Sequence, residues 1–169
     1  MPITQIIDFS GIWSFWYWIL VAVAWSMTSH FILGVPYDFV IRANREGGRV
    51  EKDCDELARI NAERVLHYVN RGGHWIVGAA AFVLGGLATL GFFLGLEIAV
   101  GFFMILAPLT LVAFFSHRLA LRIKEGDLRG LPLRRAITKR RFWNQFIGLC
   151  SILATVGIGM WLFLVSNSF

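Results

Sequence analysis

The chain is 169 residues long, 57% hydrophobic and only 16% charged, with fifteen Phe, seven Trp and a formal net charge of +5. Soluble domains are about 45–50% apolar and about 25% charged, and one this small cannot hide several apolar runs of about 20 residues, so a soluble fold is excluded. Cys54 and Cys150 lack metal-ligand spacing, and motifs for phosphate loops, Ser or Cys nucleophiles and paired catalytic carboxylates are absent, which removes the common enzyme classes.

The first apolar run covers residues 11–35. No Lys or Arg precedes Arg42, so the basic start of a cleavable signal peptide is lacking and the run is expected to stay as an anchor. Trp13, Trp16 and Trp18 mark its outer end, where an apolar ring with a wet N–H is favoured. Its other end carries Trp25, Ser26, Thr28, Ser29 and His30. This polar patch suits helix–helix hydrogen bonds, at about 0.6 kcal/mol each, more than a binding site or proton path. Pro36 disfavours helix at Val35, so the chain should bend there, with Asp38 placed to cap the next turn.

Residues 36–73 hold seven bases and seven acids. Between Glu51 and Asn70, Cys54, Leu57, Ala58, Ala62, Val65 and Val69 fall along one helical face. Gly47-Gly48 and Gly72-Gly73 flank the stretch as natural breaks. The pattern predicts an amphipathic helix on the membrane surface or on a partner, with Leu57, Ala58, Val65 and Val69 as the contact residues.

Only Glu97 separates the next two runs, residues 74–96 and 98–117. A tight turn at Gly95-Leu96-Glu97 keeps that carboxylate at the interface, whereas mid-membrane burial would cost about 2.5–3.5 kcal/mol. Pro108 frees a carbonyl near Met104 and predicts a kink. Gly91, Gly95 and Ala99, and Ser151, Thr155 and Gly159 in the fourth run (143–165), are spaced four apart. That spacing serves close packing, either internal or with a partner's helix.

Residues 118–142 contain nine bases against Glu125 and Asp127. Arg134, Arg135, Lys139, Arg140 and Arg141 adjoin the fourth run, and such a segment attracts anionic lipid at about 1 kcal/mol per base. Lipid and membrane orientation account for this charge without nucleic acid. All sixteen bases lie in the two segments 36–73 and 118–142, which puts both in the cytoplasm and both termini outside. The expected fold is all-α: a single-domain, multi-pass membrane four-helix bundle, with a cytoplasmic amphipathic helix between spans one and two.

His30, His74 and His117 fall at similar depth. They are candidates for a metal or haem site, or are simply interfacial side chains. No acid or base lies deep in a span, which weighs against a transporter.

Three stretches carry a family resemblance: Trp16-Tyr17-Trp18-Ile19-Leu20 with Trp25-Ser26, then Ser29 through Asp38, then Asp55 through Asn61. Over roughly its first half, to Gly73, the chain resembles small alphaproteobacterial membrane proteins of the Rhodobacter and Roseobacter relatives, some described as a component of SufBCD complex. The resemblance implies the bacterial inner membrane and a docking role beside a cluster-assembly machine. The expected function is a non-enzymatic accessory or scaffold protein in a larger membrane complex, without a cofactor. The alternatives are a haem- or metal-binding membrane protein and a small oligomeric transporter.

Overall fold

A computed structural model describes residues 15–126 and 128–166. It is 91% helical, in five α-helices. Trp13 and the start of the first apolar run lie outside the described residues, as does Asp127.

Helix α1 covers Phe15–His30, 16 residues. It stops short of the end expected near Val35. The chain instead makes a two-residue hairpin, β1 (Phe31–Ile32) and β2 (Val35–Pro36), with Ile32 opposite Val35. Both turn residues take positive φ, Leu33 at 54° and Gly34 at 74°. That is the backbone of a tight two-residue hairpin, and it is free for Gly but strained for Leu. A Cβ on Gly34 would lie 3.0 Å from Asn61 Nδ2, so a side chain there would also push the Asn61 amide aside by a few tenths of an ångström.

Helix α2 (Tyr37–Glu46) begins behind Pro36, with no side-chain cap. Asp38 is therefore not the expected cap; it sits in the first turn, where its charge meets the positive helix end. Gly47 and Gly48, at φ 62° and 55°, end α2 and start α3.

Helix α3 (Gly48–Ala88) runs into a π-helical turn, Thr89–Phe93. The two together cover 46 residues. The break expected at Gly72-Gly73 is present: Gly72 leaves helical geometry, at φ −140° and ψ 18°, and two helical stretches meet there across a kink. The amphipathic stretch before the kink packs its apolar face on α4 and α5 and not on a membrane surface. Across the kink the chain continues directly into the second apolar run.

The turn expected at Gly95-Leu96-Glu97 is present. Gly95 has φ 72°, Leu96 is extended, and Glu97 opens α4 (Glu97–Glu125). Helix α4 continues far beyond His117, and α5 (Gly130–Ser166) starts well before Trp143. The basic segment 118–142 accordingly belongs mostly to the end of α4 and the start of α5. Helices α3, α4 and α5 are each long and apolar enough to cross a membrane.

Among the described residues, two cores hold the helices together. The larger joins the hairpin and α2 to the charged ends of α3, α4 and α5, through Ile32, Val35, Val40, Cys54, Ala58, Leu119, Ile123, Leu133, Ile137 and their neighbours. The smaller joins the apolar parts of α1, α4 and α5 through Val21, Trp25, Ile105 and Val112.

Candidate functional site

The charged ends form a packed head. On α3 the buried stripe is Cys54, Ala58, Ala62 and Leu66, four residues apart and hence on one face. It packs in one core with Leu119, Ala120 and Ile123 of α4 and Leu133 and Ile137 of α5. The face expected to meet a partner is therefore filled from within the chain. Ala58 is fully buried, Leu57 and Val65 pack against the core, and Val69 is half-buried, with its Cγ1 3.2 Å from where a Cβ on Gly73 would lie. Burial, with the Asp55 carboxylate beside it, pushes the Cys54 thiol above its ordinary pKa.

Polar contacts lock the head. Arg134 of α5 is 5% exposed; its Nη1 is 2.7 Å from Glu51 Oε1, and its Nε donates to Asn44 Oδ1. One turn further along α3, Asp55 Oδ2 accepts the Gly130 backbone N–H at 2.6 Å. Two carboxylates from α3 thus face the N-terminus of α5, where unpaired N–H groups and the helix dipole favour negative charge. A Cβ on Gly130 would lie 3.1 Å from Glu51 Oε1.

This clasp divides the five bases expected to attract anionic lipid. Arg134 is consumed by Glu51 and Asn44. The Arg141 guanidinium lies 3.8 Å from the centroid of the Tyr37 ring, and only Arg135 and Lys139 are openly exposed. Arg140 is 8% exposed; its Nη2 donates to the Val112 carbonyl at 2.7 Å and its guanidinium lies 5.1 Å from the centroid of Phe115.

Arg140 borders a groove of about 550 Å³ between α4 and α5. Arg118, Arg122 and Lys139 also line it, with Glu125 the acid among them, and Phe115 and Trp143 supply an aromatic floor. In the sequence Arg118 and Arg122 stand out only as two of the nine bases in residues 118–142. Their spacing of four, which puts both on one face of a helix, was the available signal.

The three histidines are not gathered into a metal site. His30 Nε2 is 3.9 Å from Asp38 Oδ2, and its ring meets Phe31 edge-on. His74 is exposed beside Trp75, and His117 is half-buried on α4. Among the described residues, no group of three or more His, Cys, Asp or Glu side chains is placed to hold a metal ion.

In the apolar region, polar groups tie α1 and α5 to each other and to α4. Asn144 donates to the Thr28 carbonyl at 3.1 Å, and Tyr17 donates to the Gly101 carbonyl at 3.2 Å. Ser151 donates at 2.8 Å to the Met104 carbonyl, the group that Pro108 leaves without its usual helical donor. Ser151, Thr155 and Gly159 are buried, so that stripe serves internal packing. Trp25 packs on Gly148, where a Cβ would come within 2.7 Å of its ring. By contrast, the apolar half of α3 and the π-helical turn after it are almost bare: Trp75, Phe82 and Phe93 are 75%, 83% and 85% exposed.

Comparison of the chain with family models, curated proteins and solved structures gave no match.

Proposed function

We propose that the chain is a non-enzymatic accessory or scaffold protein of a bacterial inner membrane. It crosses the bilayer four times, with both termini periplasmic and the charged head in the cytoplasm. The observation that carries this reading is the head itself, a packed core formed by extensions of the same helices whose other ends are apolar enough to cross a bilayer. A rigid head fused to its anchors gives a soluble or membrane partner a fixed platform. The confinement of all sixteen bases to residues 36–73 and 118–142 supports the orientation. The described part of α1 reaches only about 24 Å at about 1.5 Å per residue; the fourth crossing rests on the apolar run that begins at residue 11. The family resemblance makes a cluster-assembly machine a partner worth testing.

Photo-crosslinkers at Tyr68 and Leu131, both exposed on the head, and at Phe82 in the apolar half of α3 test the reading in native membranes. A discrete adduct with one other protein, from at least one head position, is expected. Adducts with lipid alone from all three positions would overturn it. Thiol labelling of Tyr68→Cys from the periplasmic side would overturn the orientation.

A further inference from the structure

We propose that the groove between α4 and α5 is a binding site for the phosphate of an anionic phospholipid. Helix α5 buries two guanidiniums six residues apart, and they differ in what neutralises them. Arg134 has the Glu51 carboxylate. Arg140 is buried to a similar degree but, among the described residues, has no carboxylate within ion-pair distance; a carbonyl and an aromatic ring are its partners. Its Nε is buried and makes no hydrogen bond. A guanidinium withdrawn from water without a counter-charge is costly, and an anion brought to it removes that cost.

The groove is built to bring one. Arg118, Arg122 and Lys139 line it with Arg140, and none of those three has an ion-pair partner among the described residues. Arg118 is instead held 5.6 Å from the centroid of Phe114. Four bases against Glu125 make a strongly positive concavity, and guanidiniums match phosphate oxygens in bidentate geometry. The lining also selects a lipid over a free anion. Phe115 and Trp143 lie where α4 and α5 pass from charged to apolar sequence, so a headgroup among the bases leaves its acyl chains alongside the apolar helix faces. Basic pockets between membrane helices on the cytoplasmic side hold anionic headgroups in this way. The site needs the apolar ends to lie in a bilayer, but is independent of the scaffold role.

Native mass spectrometry of the full chain in detergent, titrated with phosphatidylglycerol or phosphatidylcholine, tests the proposal. Retention of phosphatidylglycerol in preference to phosphatidylcholine is expected, with no displacement by millimolar inorganic phosphate. The double variant Arg122→Gln/Lys139→Gln, at exposed positions, should weaken phosphatidylglycerol binding by about thirtyfold. The control Arg45→Gln/Arg64→Gln removes the same charge elsewhere on the head and should change it less than about twofold. Equal losses in the two variants would show diffuse charge attraction and overturn the site. Equal retention of both lipids would overturn it too, and full displacement by inorganic phosphate would reassign the groove to a free anion. Partner crosslinking at Tyr68 or Leu131 reads out the scaffold function separately.

Discussion

The head and the apolar half of α3 belong to one helix and have opposite relations to their surroundings. Between Gly48 and Arg71 the helix presents a stripe of small and medium apolar residues to α4 and α5, turns Glu51 and Asp55 toward the start of α5, and keeps most of its other charges outward. Beyond Gly72 it presents Trp, Phe, Val and Leu on nearly every side and packs little against the rest of the chain. The difference teaches where water does the folding. In the head, side chains leave water only by burying one another, so the core must be complete. In the apolar half, lipid solvates the same side chains, and association rests on close packing and polar contacts instead.

The contrast predicts where substitutions hurt. Ile137→Ala, in the head core, should cost about 3–4 kcal/mol. The buried Cys54 thiol gives the readout. Raised above its usual pKa, it holds its proton at neutral pH and reacts slowly, so faster maleimide labelling in Ile137→Ala would mark opening of the head. Arg134→Met should cost about 2–3 kcal/mol in a denaturant titration, because Glu51 and Asn44 lose their partner. Gly91→Ala sharpens the comparison from the apolar side. Its Cβ would fall 2.8 Å from Val100 Cγ2 and 2.9 Å from the Val100 nitrogen, where backbone must move, so about 1–3 kcal/mol is expected. Ser151→Ala should cost about 0.6 kcal/mol, measured by thermal unfolding in detergent. Phe82→Ala, on the bare face, should leave the melting temperature unchanged within about 1 °C. A loss like that of Ile137→Ala would break the comparison.

The sequence revealed features whose cause is local. The turn at Gly95-Leu96-Glu97 and the stop at Gly47-Gly48 each rest on residues at the spot, and the apolar runs are written in composition. The Met104 carbonyl was legible from Pro108 alone; its acceptance from Ser151 was not. The head was hidden because its contacts join distant segments. The stripe from Cys54 to Leu66 reads as amphipathic whatever covers it, and nothing near it names α4 and α5 as the cover. Likewise Arg134 and Arg140 read as one polybasic cluster until Glu51 claims the first. The hairpin was hidden for another reason: its turn is Leu33-Gly34, without the Asn-Gly or Asp-Gly that usually signals such a turn.

The kink at Gly72 has a mechanical consequence. It is the one non-helical residue inside α3, and it falls where the packed half gives way to the bare half. The apolar half is therefore joined to the head across one non-helical residue. Tilting it by about 10° would carry Phe93, roughly 32 Å away along the helix, sideways by about 5–6 Å. A bilayer that thickens or thins exerts such a torque on any helix spanning it.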